Sequence, residues 1–129
     1  MSVPGVPEKV LQFIAEKIDT VPQLEALLLL WENRQREWSE QEVAARIYVS
    51  NEASGSILQA LQRRQLIAAA SSAPAKYRYS TEWDPSGELM SEVAGAYRRH
   101  LVPLATYIHS RASSAVREFA RAFDLKKDR

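Results

Sequence analysis

The sequence predicts a mainly α fold with a small antiparallel β-hairpin and additional helices at both ends. Three observations carry this. Apolar residues recur three and four apart through most of the chain, the period of an amphipathic helix. Residues that open helices precede several of these runs. Only Lys76 to Ser80, which alternates through Tyr77, Arg78 and Tyr79, has the period of a strand.

A first helix is expected from Pro7, whose missing N–H costs nothing at a helix start, to about Ile18. Its apolar stripe is Val10, Leu11, Phe13, Ile14 and Ile18. A second helix starts at Asp19 or Thr20 with Pro22 in its first turn, and Thr20 and Gln23 have the spacing of a capping box. Leu24, Leu27, Leu28, Leu29, Leu30 and Trp31 cover more than one face of it, so it is expected at the centre of the fold, buried on two sides.

Ser39 and Glu42 give the clearest start signal, a capping box with Trp38 and Val43 placed as a hydrophobic staple. That helix continues through Ile47, and its small Ala44 and Ala45 allow a neighbouring helix to come close. A turn is expected at Val49 to Asn51, capped by Ser50 or Asn51. The next helix runs to about Gln65 and buries Ala53, Ser54, Ile57, Leu58 and Leu61. Leu66 and Ile67 begin a strand, Ser71 to Ala75 make the turn, and Lys76 to Ser80 return.

The last third is helical again. Asp84-Pro85 has the form of a cap followed by proline at the first helical position. Leu89, Val93, Tyr97, Leu101, Leu104 and Ile108 continue the stripe, and Pro103 implies a break near Arg99 to Leu101. Ser113 or Ser114 caps a final helix carrying Val116, Phe119, Ala120 and Phe123. The C-terminal helices, 85–125, either contribute a homodimer contact or cover the apolar central helix of the same chain.

Composition sets the outer limits. The chain has 129 residues, 46% of them hydrophobic and 26% charged, the balance of one globular domain spanning 1–129. There is no cysteine, which excludes disulfides and thiolate metal sites and suits a reducing cytoplasm. Met1 to Pro7 has no basic segment leading into an apolar one, and the run Leu27 to Trp31 is far short of the roughly 20 residues of a membrane span. A cytoplasmic chain with no membrane partner is therefore expected. Net charge is +1 but uneven: residues 1–60 carry 5 basic and 9 acidic side chains, and residues 97–129 carry 8 and 3.

The stretch WSEQEVAARIYVSNEASGSILQALQRRQLI, followed by a hairpin ending in KYRYS, resembles the winged helix-turn-helix of bacterial transcriptional regulators. The resemblance covers residues 20–80. It implies a DNA-binding transcriptional regulator whose third helix lies in the major groove of double-stranded DNA. With Ile57, Leu58 and Leu61 inward, Glu52, Gly55, Ser56, Gln59, Gln62 and Arg63 face outward. The implied DNA-binding residues are Asn51, Ser56, Gln59 and Arg63 on the helix and Lys76 and Arg78 on the wing. Gln59 suits adenine, Arg63 suits guanine or a phosphate, and Gly55 lets backbone approach. Glu52 repels phosphate, and the wing has fewer basic residues than a DNA-binding wing usually carries. The alternative is a winged-helix protein-interaction module that does not touch DNA. Arg63 and Arg64 also suit a helix C-terminus on dipole grounds alone.

An enzyme is not expected, and neither is a cofactor or a metal. His100 and His109 lack HExxH spacing, and there is no GxxxxGK[ST] or GxGxxG phosphate cradle. Ser54-Gly55-Ser56 has no GxSxG context. Glu40 and Glu42 fit a helix first turn better than a catalytic pair. Tyr77 and Tyr79 could form a stacking platform for single strands, but tyrosines on a hairpin pleat are the commoner cause of that alternation.

Overall fold

The computed structural model describes residues 3–72 and 74–111. The chain is mainly α with a small antiparallel sheet, as its periodicity predicts. In order it forms α1 (Glu8–Lys17), α2 (Val21–Glu32), β1 (Trp38–Ser39), α3 (Glu40–Ile47), α4 (Asn51–Arg63), β2 (Ile67–Ser72), β3 (Ala75–Tyr79) and α5 (Glu88–Arg99). Residues 101–111 are helical again (α6).

The expected apolar stripe of α1 is buried throughout. Pro7 stands just outside the helix as its cap rather than inside it. In α2, Thr20 Oγ1 accepts from the Gln23 N–H at 3.2 Å, as expected of a cap. The reciprocal half of the capping box is absent. Gln23 Oε1 instead accepts from the Asp19 N–H, one residue earlier, at 2.8 Å. Leu24, Ala26, Leu27 and Leu30 are fully buried, and α2 packs against α3, α4, β3 and α5. A helix with such neighbours must be apolar on most of its circumference, which is the pattern its leucines show.

The α3 start matches its sequence signal in both directions. Ser39 Oγ accepts from the Glu42 N–H at 3.1 Å, and the Ser39 N–H donates to Glu42 Oε1 at 2.9 Å. Trp38 and Val43 are both buried. Ala44 is buried, but Ala45 is exposed, so only one of the two small residues serves helix packing. Tyr48 ends α3 in the left-handed region, and Ser50 caps α4 by accepting from the Ala53 N–H at 3.0 Å. Leu27, Leu28, Ile57, Leu58 and Leu61 share one core, with Ile47 packed at its edge.

The sheet has three strands rather than two, in the order β1-β3-β2, all antiparallel. β1 pairs Trp38 with Tyr77 and Ser39 with Lys76. Two residues are too few for alternation to register in a sequence, so β1 was not expected. The hairpin turn is also tighter than Ser71 to Ala75. β2 extends through Ser72 and β3 begins at Ala75, with an irregularity between Ala69 and Ser71.

α5 departs most from expectation. Asp84 and Pro85 lie outside it, and the helix starts at Glu88 after Gly87. The break expected near Pro103 is present: α5 ends at Arg99, and Leu104 N–H bonds to His100 O at the start of α6. Val93, Leu104 and Ile108 are buried, but Leu101 points to solvent. The final helix expected from Ser113 or Ser114 lies outside the described residues.

Candidate nucleic-acid interface

The two faces of α4 decide what it can offer a ligand. Inward are Ser54, Ile57, Leu58, Ala60 and Leu61. Ser54 Oγ donates to Glu40 O at 2.7 Å, so the one hydroxyl on this face is satisfied and ties α4 to α3. Gly55 also faces α3 and is buried, which corrects the outward position expected for it. A Cβ there would lie 2.9 Å from Glu40 Oε2. The atoms it faces are the end of the Glu40 side chain, so Gly55 lies against α3 and not on the outward face of α4.

Outward are Asn51, Glu52, Ser56, Gln59, Gln62 and Arg63, all exposed. Four of the residues expected to bind DNA, Asn51, Ser56, Gln59 and Arg63, are thus on the accessible surface of one helix. Asn51 is the first residue of α4, with capping left to Ser50. The outward side chains are amides, a hydroxyl, one carboxylate and one guanidinium. Such groups can donate and accept hydrogen bonds along a base-pair edge.

Arg64 separates from Arg63 in role. Its guanidinium donates to Lys17 O at 2.6 Å and pairs with Asp19 Oδ2 at 2.5 Å. It fastens the end of α4 to the α1–α2 connection. Arg63 has no carboxylate partner among the described residues.

On the hairpin, Tyr77 and Tyr79 point into the core and are 6% and 5% exposed. That excludes a stacking platform made of these two rings. Alternation then turns Lys76 and Arg78 to the other side of the sheet. Lys76 is half-buried. Arg78 is exposed and pairs with Glu37 Oε2 at 3.0 Å, so part of its charge is already met within the chain.

The start of α3 is acidic. Glu40 sits against Gly55, and Glu42 accepts from Arg36 at 2.7 Å besides closing its capping box. The Ser39 backbone N–H, more than Arg36, holds the Glu42 carboxyl below the usual glutamate range. A further cationic group lies around Trp38, with the Arg36 guanidinium 3.7 Å and the Arg46 guanidinium 5.2 Å from its ring centroid. Sequence reasoning did not single out these arginines, although a tryptophan between arginines two residues before and eight after was visible in the chain.

His100 is half-buried and lies against Gly5, where a Cβ would meet its Cε1 at 2.8 Å, while His109 is exposed. Among the described residues no group of acidic or histidine side chains is arranged to hold a metal ion, and no helix is long and apolar enough to cross a membrane. No family model, curated protein or solved structure matches the chain.

Proposed function

We propose that this chain is a winged helix-turn-helix DNA-binding protein of the transcriptional-regulator kind, with α4 as its reading helix. One observation carries the reading. The outward face of α4 consists of hydrogen-bonding side chains, Asn51, Glu52, Ser56, Gln59, Gln62 and Arg63, with no large apolar group among them. Protein-docking faces concentrate aromatic and apolar anchors at their centre. Base edges require donors and acceptors instead. On this reading Gln59 addresses adenine, Arg63 addresses guanine or a phosphate, and Lys76 and Arg78 reach the sugar-phosphate backbone.

A second reading, a winged-helix module that binds protein only, is favoured by a different observation. Arg78 is paired with Glu37, and Glu52 stands at the start of the reading helix, so positive charge on this surface is sparse. Non-specific affinity for duplex should accordingly be modest and its salt slope shallow.

Fluorescence anisotropy with mixed-sequence and promoter-derived duplexes, at low and physiological salt, separates the readings. Binding is expected at low salt. Arg63→Ala should relax sequence preference at a cost of about 1–3 kcal/mol if the contact to guanine is bidentate. Lys76→Ala should weaken all sequences alike and flatten the salt slope. No binding at low salt would discard DNA and leave the protein module.

A further inference from the structure

The residue that closes α3 is an exception to the way helices end. Tyr48 has φ 61 and ψ 48, the left-handed region usually left to glycine or asparagine. Gln65 is the only other non-glycine residue at positive φ among those described. A bulky side chain in this region strains the backbone unless its contacts compensate. Tyr48 gains almost nothing from packing, because it is 91% exposed. Its phenol has no partner within the described chain. The turn that fixes it is held by the Val49 N–H bonded to Ala44 O at 3.1 Å.

This protruding residue also forms one wall of an open groove of about 280 Å³. Its apolar lining comes from three helices: Leu28 and Leu29 of α2, Ile47 of α3 and Tyr97 of α5. A protruding aromatic residue and a partly apolar groove therefore share one patch.

We propose that this patch is a homodimer interface in which Tyr48 of each subunit seats in the groove of the other. A two-fold contact presents the same surface on both sides, so the surface must complement itself. Knob and groove on one patch meet that requirement. The charges meet it as well. Glu25 and Glu32 border the groove, as does Arg46. Tyr97 OH donates to Glu25 at 3.0 Å and Arg98 pairs with Glu32 at 3.3 Å, whereas Arg46 has no carboxylate partner among the described residues. Across the two-fold, Arg46 of one subunit can face the carboxylates of the other. Tyrosine and arginine are also the side chains that dominate interface energetics. The proposal is independent of DNA binding. It also differs from dimerisation through α6, where Leu101 and Val102 are the other large apolar side chains in solvent among the described residues, 49% and 71% exposed.

Sedimentation velocity of the full chain over a wide micromolar range tests it. The wild type is expected to dimerise. Tyr48→Gly should raise the dimer dissociation constant at least about tenfold. Its thermal midpoint in the monomeric range should be unchanged or higher, because glycine relieves the left-handed strain. Leu101→Glu combined with Val102→Glu should leave the dimer intact. The chain has no cysteine, so mixing Tyr48→Cys chains with Leu29→Cys chains should give a mixed disulfide between subunits. A monomeric wild type, a dimer that survives Tyr48→Gly, a dimer lost only through Leu101 and Val102, or no mixed disulfide from a dimeric mixture would each overturn the proposal.

Discussion

Helices α3 and α5 begin by different means. At α3, four consecutive residues contain everything needed: Ser39 and Glu42 satisfy each other's backbone N–H groups. At α5 the equivalent signal, Asp84-Pro85, does not start the helix. Trp83 stacks on Phe13 of α1 with ring centroids 5.2 Å apart and planes 7° apart, and its ring also meets the edge of Tyr79 at 6.1 Å. These contacts hold the chain at Trp83 against α1 and β3. A turn follows, with the Gly87 N–H bonded to Asp84 O at 3.0 Å and Gly87 at φ 74. Asp84 still caps α5, but at a distance of six residues, its Oδ2 accepting from the Met90 N–H at 3.0 Å. One helix start is a local reciprocal bond, and the other depends on an aromatic stack between distant segments.

The sharpest way to break this comparison is to remove the stack. Trp83→Ala should cost about 3 kcal/mol, the low end for deleting a large aromatic, because Trp83 is only half-buried. Native-state hydrogen exchange should show protection lost in α5 well before α3 and α4. Equal loss in all helices would show that α5 has no separate dependence on Trp83.

Changes at the two caps should be smaller. Ser39→Ala is expected to cost about 1 kcal/mol in urea unfolding, the usual value for a serine cap. Gly87→Ala is expected to cost about 1 kcal/mol for a different reason, since no atom lies within 4 Å of its added Cβ and only the left-handed backbone resists it. A neutral Gly87→Ala would mean that the turn before α5 can relax.

The response to pH has opposite signs at the two helices. The Glu42 carboxyl is held low in the folded chain, so its contribution is present above the ordinary glutamate value of 4.5 and is lost as pH falls through the lowered one. That carboxylate is exposed and solvent screens it, so the loss should be slight. Tyr97 of α5 is pushed up to about 12, first by burial and then by the Glu25 carboxylate. Its contribution is full below the ordinary 10.0 and is lost as pH rises through about 12. Absorbance titration of tyrosinate combined with circular dichroism should place the alkaline loss at α5 before α3. The reverse order would contradict the assignment.

The candidate interface was partly legible. Glu52, Ser56, Gln59, Gln62 and Arg63 were placed outward by setting Ile57, Leu58 and Leu61 inward, because helical period fixes both faces once one is known. Gly55 was misplaced because a glycine has no polarity by which to assign a face, and only the packing of α4 on α3 shows that it is buried. Arg63 and Arg64 look alike in sequence. A single step around the helix leaves one in solvent and brings the other to Asp19, 45 residues away. The pairing of Arg78 with Glu37 and the groove beside Tyr48 join residues from separate elements, and no local pattern announces them.

By itself, the sequence determined whatever depends on neighbours within about one or two turns. That includes the cap at Ser39, the stripe of α1, the inward apolar residues of α4, the two-sided burial of α2, and the break before Pro103, where a missing N–H and the proline ring disrupt the preceding turn. Only the tertiary structure decided the third strand, the late start of α5 and the separate fates of Arg63 and Arg64. These rest on contacts between residues tens of positions apart. Chain closure brings those residues together, and the core contacts that repay its entropy cost lie outside any local window.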